Sequence, residues 1–371
     1  MKKNLRNILA VALGLITTVS FAQDWGVDSR TRIDMSGDND KMSTEQRATV
    51  GATWGGSDWG IHTSTEINYV LGPNSAASLR VYEAYASANV FGFANMTAGR
   101  QALDYGSGAL MSSNQWAGAA GQRTTWDGFT FAIDNDMLDL TIGYASQMTD
   151  APDTSASGGT NMHINASKAE GDWSVNLLYM TKEGQVDGEA LDGLSAYGLD
   201  LGYNMMGGQL GINASMNQDY DENQMTSYGA TYNVNDNLSI SLSQTSYVYD
   251  EGTEDANGEN ATSFNMAGTN MAGDWFHTGN MGYLGAGDED MTIGVSYNMG
   301  GITLGANMHT ISNSENEDYE RSVTDISLGY DLGDNASIGL RYATDTNDDA
   351  ANDGAGAWDN KYTWVTLTVN P

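Results

Sequence analysis

The sequence predicts an all-β fold, a transmembrane antiparallel up-and-down β-barrel of about eighteen strands, with sixteen as the alternative count. Three observations predict it. Segments of about ten residues alternate apolar and polar side chains, the length and period of a tilted strand that crosses a bilayer. Their connections alternate between very short turns and longer acidic loops rich in Gly, Ser and Asn. The 19 tyrosines and 9 tryptophans cluster near strand ends, where aromatic rings sit at a membrane–water interface.

The chain opens on a processing signal. Lys2, Lys3 and Arg6 precede the apolar stretch Ile8 to Val19, and Ser20-Phe21-Ala22 fits the small-x-small cleavage rule. Residues 1–22 are therefore expected to be a signal peptide and residues 23–371 a single barrel domain, since a closed barrel has no independently folding half. The first expected strand, Val27–Met35, sets Val27, Ser29, Thr31, Ile33 and Met35 against Asp28, Arg30, Arg32 and Asp34. Thr44–Trp54 carries Glu45, Arg47, Thr49 and Thr53 on its polar side, and the turn at Gly55-Gly56-Ser57-Asp58 leads into Trp59–Tyr69 with His62 and Glu66. In Arg80–Phe91 the alternation puts Tyr82, Ala84, Ala86 and Ala88 on one face and Glu83, Tyr85, Ser87 and Asn89 on the other. Met96–Gln101 follows, then a loop over 102–125, then Trp126–Ile133.

The same rhythm continues through Leu140–Met148, Asn161–Ala169, Trp173–Lys182, Ala196–Met205, Gln209–Gln218, Thr226–Val234 and Leu238–Tyr249. It resumes with Met291–Met299, Ile302–Ile311, Ser322–Leu332, Ala336–Thr346 and Tyr362–Val369. Reading 250–290 as one long outer loop keeps the short turns, such as Gly300-Gly301, at one end of the barrel. That end is expected to be periplasmic and the long acidic loops extracellular. The terminal Asn370-Pro371 lacks a final aromatic, so Trp364 and Leu367 are expected to serve the barrel-assembly machinery.

The formal charge is −33, and cleavage of the signal removes three further cations. Nucleic acid is excluded as a partner, because binding it relies on Lys and Arg contacts to phosphate. Acidic residues cluster at Asp38–Asp40, Asp219–Glu222, Asp250–Glu259, Asp288–Asp290, Glu315–Glu320 and Asp345–Asp353. A solvated outer surface explains them, with divalent-cation binding as the sharper alternative; no twelve-residue calcium loop is present. Cysteine is absent, which excludes a disulfide-stapled secreted scaffold. His62, His163, His277 and His309 stand at unrelated spacings and form no metal motif, so neither a cofactor nor an enzymatic activity is expected.

The few cations carry more information. Arg30, Arg32, Arg47 and Arg341 fall on polar strand faces by phase, while Arg100 and Arg123 flank the 102–125 loop. A guanidinium facing lipid near the midplane costs about 2–4 kcal/mol, so inward placement is the default. With Glu66 and Glu83 these residues are expected to line a water-filled lumen and to select solutes by charge.

Tyr82-Glu83-Ala84-Tyr85, Gly99-Arg100-Gln101, Tyr105-Gly106, Trp116, Arg123 and Asp127-Gly128 together resemble the signature of the alginate-export (AlgE-like) family of outer-membrane porins. Phe264, Asn270, Trp275-Phe276-His277 and Gly282-Tyr283 are similar to a loop in its members from the Bacteroidetes. The resemblance implies an eighteen-stranded barrel that passes an anionic polysaccharide, with Arg100 and Arg123 at the constriction and Asp127 as counter-charge. Where that family has Asp-Glu-Arg after Tyr-Gly, this chain reads Ser107-Gly108-Ala109.

The expectation is an outer-membrane porin for small hydrophilic solutes, embedded in outer-membrane lipid as a monomer or homotrimer. Its pore-lining residues are Arg30, Arg32, Arg47, Glu66, Glu83, Arg100, Arg123, Asp127 and Arg341. The rivals are an exporter of an anionic oligosaccharide, a non-conducting surface barrel whose acidic loops bind a partner or divalent ions, and a soluble secreted β-protein.

Overall fold

A computed structural model describes residues 23–36, 42–72, 76–113, 123, 125–133, 135, 137–147, 160–183, 185–186, 189–190, 194–220, 222–248, 284, 287–314, 316–349 and 357–370. The strands are β1 (Gln23–Asp34), β2 (Ser43–Gly55), β3 (Trp59–Val70), β4 (Ser78–Val90), β5 (Ala94–Gln101), β6 (Trp126–Ile133), β7 (Asp139–Gln147), β8 (Thr160–Glu170) and β9 (Trp173–Glu183). There follow β10 (Gln185–Val186), β11 (Glu189–Ala190), β12 (Ser195–Met205), β13 (Leu210–Gln218), β14 (Gln224–Asn233), β15 (Leu238–Val248), β16 (Asp288–Met299), β17 (Ile302–Asn313), β18 (Asn316–Gly333), β19 (Ala336–Asp349) and β20 (Trp358–Val369). The tiny β10 and β11 pair only with each other; the rest form one 18-stranded sheet. Every strand in it pairs antiparallel with its neighbours, and β1 pairs with β20, so the sheet closes and has no free edge.

Alternation sorts the side chains as the sequence predicts. Val27, Val50, Ile61, Ile142, Ile164, Leu177, Leu201, Ile212, Leu242, Ile293, Leu304, Ile326 and Leu340 all point outward and are exposed. Trp25, Trp59, Trp173, Tyr203, Tyr232 and Tyr330 stand among them near the short-turn end. An exposed apolar surface this continuous suits lipid and would be an aggregation hazard in water. The inner face over the half nearest the short turns is lined by Gly and small polar residues. Gly211, Asn213, Gly229, Ser241, Gly294, Gly305, Ser327, Gly329, Ser337 and Gly339 lie there in register across β13 to β19. The turns are tight: Gly300 and Gly301, at φ +56° and +83°, make the two-residue link that matches hairpin twist.

Each expected strand is present. Several run further at the long-loop end, which moves acids from the loops into the wall. Asp288 and Asp290, expected in an outer loop, are strand residues facing inward and buried, as is Asp345, which lay within the expected strand Ala336–Thr346 at the start of an acidic cluster. The second correction is at β4. Ser64 pairs with Glu83 and Thr65 with Val81, leaving Tyr82 as an extra residue in a β-bulge. Tyr82 therefore turns inward beside Glu83 instead of sharing the outward face of Ala84 and Ala86, and is 6% exposed. Trp364 also faces inward, buried and stacked on Tyr362, while Leu367 faces out.

Candidate functional site: charged sectors and a strap inside the barrel

The inner face holds two charged sectors. The first spans β1 to β4. Arg30 and Arg47 are register partners across β1 and β2, and Arg32 donates to Glu45 at 3.1 Å. Arg47 lies 3.6 Å from Asp28. At the centre is Glu66, with no exposed surface. Its Oε1 accepts from Arg80 Nε at 3.0 Å and Asn68 Nδ2 at 2.8 Å, and its Oε2 accepts from Arg123 Nε at 2.9 Å. Arg123 Nη2 also donates to Thr49 Oγ1 at 2.7 Å, and its guanidinium lies 3.7 Å from the centroid of the inward-turned Tyr82 ring. Arg80 Nη2 donates to the Arg123 carbonyl. Nearby, Glu83 accepts from the Ala102 amide at 3.1 Å and lies 3.6 Å from His62.

The second sector spans β16 to β19. Arg321 and Asp345 form a buried bidentate pair with both contacts at 2.8 Å. Arg341 Nη2 donates to Asp325 at 2.7 Å, and Asn307 donates to the same oxygen at 3.2 Å. His309 Nδ1 lies 3.0 Å from Asp290 Oδ2, with the Thr292 hydroxyl bonded to both.

Between β5 and β6 the chain enters the barrel. Leu103, Leu110 and Met111 are buried with Trp126, Leu178, Met180 and Met225, an apolar patch on the inner face. The tip reaches β12 and β13: the Ser107 amide donates to Asp200 Oδ2 at 3.0 Å, and Ser215 Oγ lies 3.2 Å from Ser107 Oγ. Gly106 adopts φ +59° there, and a Cβ on it would collide with the Asp200 carboxylate and crowd the Asn176 amide. Asp104 ties the turn by accepting from Ser112 and from the Ser113 amide. Tyr105 packs 5.5 Å from the His163 ring, and burial pushes its hydroxyl up to about 12. On the return, Arg123 meets Glu66 on β3. Ser107 and Arg123 thus touch nearly opposite sides of the ring of strands. Residues 102–113, together with Arg123, form what is called the strap.

Of the residues singled out from the sequence, Arg30, Arg32, Arg47, Glu66, Glu83 and Arg341 sit on the inner face, and Arg123 joins them from the strap. Arg100 and Asp127 do not. Arg100 pairs in register with the outward Ala84, and Asp127 precedes the outward Phe129 by two residues. Their bidentate contact, at 2.8 and 2.9 Å, lies on the outer surface beside the long-loop ends of β5 and β6. The counter-charge of Arg123 is Glu66, not Asp127. Sequence reasoning missed Arg80, Arg321, Asp325, Asp345 and His309. Phase alone places Arg321 and Asp325 opposite Ile326 and Leu328; Arg80 was hidden by the bulge. Among the described residues no group of three or more His, Asp or Glu side chains is arranged to hold a metal ion. Residues 114–122 and 249–283, with Trp116 and the Phe264–Tyr283 stretch, lie outside the described residues, as do Asp38–Asp40.

No family model matches the chain, and no curated protein matches its sequence. Its fold is shared with solved structures. OccK8 (OprE) of Pseudomonas aeruginosa superposes with a TM-score of 0.66 at 13% identity, covering 94% of this chain and 98% of that one. OccAB1 of Acinetobacter baumannii gives 0.67 at 12% identity, covering 94% and 96%. The outer membrane protein OprD of Pseudomonas aeruginosa gives 0.65 at 15% identity, covering 96% and 95%. These matches overturn the resemblance to the alginate-export family. The stretch that carried it places Arg100 and Asp127 outside the barrel and Tyr82 in a bulge, so its apparent constriction is not assembled. The chain shares the closed eighteen-strand architecture of the OccK8 and OprD structures.

Proposed function

We propose that this chain is a diffusion channel of a Gram-negative outer membrane, passing small hydrophilic solutes and sorting them by charge. The observation that carries this reading is the two-faced wall: in the described strands, an apolar exterior surrounds an interior that carries paired charges and small polar groups beside the apolar patch under residues 102–113. OprD, an outer membrane protein of the same fold, supports the location. In this reading residues 1–22 direct export with cleavage near Ala22, the barrel-assembly machinery inserts the chain, and it works in outer-membrane lipid as monomer or homotrimer.

Arg30, Arg32, Arg47, Glu66, Glu83, Arg123 and Arg341 line the path, joined by Asp28, Arg80 and Asp325. The β1–β4 sector sets five arginines, counting Arg123, against Asp28, Asp34, Glu45, Glu66 and Glu83. The β16–β19 sector sets Asp288, Asp290, Asp325 and Asp345 against Arg321 and Arg341. A field runs from the balanced β1–β4 sector to the aspartate-rich β16–β19 sector, and it orients a dipolar solute in transit. Planar-bilayer recording of the purified protein is the test. Stepwise conductance is expected, with a reversal potential in a salt gradient that reports the selectivity; silence in every salt overturns the reading.

A further inference from the structure

We propose that Asp200 positions the tip of the strap and sets the charge preference of the path beside it. The proposal rests on the channel reading above. The sequences of β12, β13, β14 and β15 contain no other Asp, Glu, Lys, Arg or His. Four neighbouring strands of neutral lining thus carry one charge, and it stands where the strap lands. Asp200 faces inward, since Leu201 beside it is exposed on the outer face. It is half-buried, while Gly106 and Ser107 of the tip are exposed, so the contact between them is open to the interior. β12 lies opposite β1, nine strand steps away whether counted through β2 to β9 or through β20 to β13.

The tip is shaped to be held by an acceptor. The Gly108 amide donates to the Tyr105 carbonyl at 3.0 Å, and Gly106 takes φ +59° at the first central position, the pattern of a type II′ turn. That turn makes no use of the Ser107 amide. Asp200 Oδ2 accepts it at 3.0 Å, and Oδ1 accepts from the Ser215 hydroxyl, which Asn217 Nδ2 holds at 2.8 Å. A carboxylate supplies the two acceptors that these donors need. Its charge is not cancelled locally among the described residues. Its register partners are Asn176 on β9 and Ser215 on β13. Lys182, the one cation of β9, stands six residues along the strand from Asn176, and Asp104 on the strap adds charge of the same sign. Elsewhere on the wall Asp28, Glu45, Glu66, Asp325 and Asp345 each meet an arginine. An uncancelled carboxylate beside the path draws cations and repels anions.

Two variants separate holding from charge. In Asp200→Asn the side-chain oxygen still accepts the Ser107 amide, and the Ser215 hydroxyl rotates to accept from the new NH2 group, so the contact survives without the charge. Asp200→Ala removes both. The chain contains no cysteine, so Ala109→Cys, two residues beyond Ser107 at a position 1% exposed, gives a single buried reporter thiol. In the full-length protein carrying this reporter, Asp200→Ala is expected to speed its reaction with a water-soluble thiosulfonate roughly tenfold, the factor for one lost charge-assisted hydrogen bond. Asp200→Asn is expected to leave that rate unchanged. In planar bilayers under a potassium chloride gradient, Asp200→Asn is expected to lower the cation-to-anion permeability ratio roughly twofold. Migration as a folded barrel on unheated gels checks the fold. Should Asp200→Ala fail to fold, Ser107→Pro replaces it, removing the amide donor from the strap while Asp200 stays; the same acceleration of labelling is expected. Unchanged labelling in the folded Asp200→Ala or Ser107→Pro protein overturns the positioning role, and an unchanged reversal potential in Asp200→Asn overturns the charge role. A silent native protein with accelerated labelling in Asp200→Ala overturns the channel reading and leaves the positioning role standing.

Discussion

The charged sectors on β1–β4 and β16–β19 use the same chemistry and differ in ownership. Arg321 with Asp345 and Arg341 with Asp325 are pairs made wholly by the wall, each closed diagonally between β18 and β19. Glu66 is shared between the wall and a segment that left it. The first arrangement makes a rigid lining, because each partner is fixed by the ladder. The second makes an attachment, because it joins the wall to a residue outside the strands, one that Thr49, Tyr82, Arg80 and Asp28 also contact. An ion pair therefore does different work according to which chain segments it joins, even where distances are alike.

Removing one member of the wall-owned pair should give the largest effect. Arg321→Ala leaves Asp345 buried without its bidentate partner, and a loss of about 3–5 kcal/mol is expected, read from the denaturant midpoint of folded barrel in detergent. The strap is expected to stay in place, so conductance noise should not change; an increase would erase the distinction between the sectors. A middle-sized effect belongs to the strap tip. Gly106→Ala forces a Cβ against the Asp200 carboxylate at φ +59°. A backbone penalty of about 1 kcal/mol and a displaced tip are expected, seen as loss of cross-linking between cysteines introduced at Ser107 and Ser215. The smallest effect belongs to the outer pair. Arg100→Gln should shift stability by about 1 kcal/mol or less and leave the reversal potential where it was, because the side chain never meets the lumen. A shifted reversal potential would return Arg100 to the interior.

Much of the wall was legible because its logic is local. Period two, strand length and short turns are written in consecutive residues, so the eighteen strands of the barrel, and the inner faces of Arg30, Arg47 and Arg341, follow from phase counted along one segment, while the short β10 and β11 do not. Phase fails where a strand gains a residue. The bulge at Tyr82 reversed the reading of both Tyr82 and Arg80, and no turn residue marks it. The partner of Arg123 was illegible for another reason: Glu66 is 57 residues away and becomes adjacent only when the strap has crossed the barrel. Arg100 misled because a resemblance in residue types was taken for a shared face. Its register with Ala84, a fact about two strands together, settles the side on which it lies.

The sparse lining toward the short turns has an electrical consequence. Where Gly211, Gly229, Gly294, Gly305 and Gly329 face inward, the described wall offers little beyond backbone, and in the proposed channel ions there would move through something close to bulk electrolyte. In such a channel resistance would be concentrated at the level of the strap and the two arginine-bearing sectors, as in a funnel whose stem is short. A voltage applied across the membrane would then drop mainly over that stem, so the groups proposed to discriminate among solutes would also feel nearly the whole field.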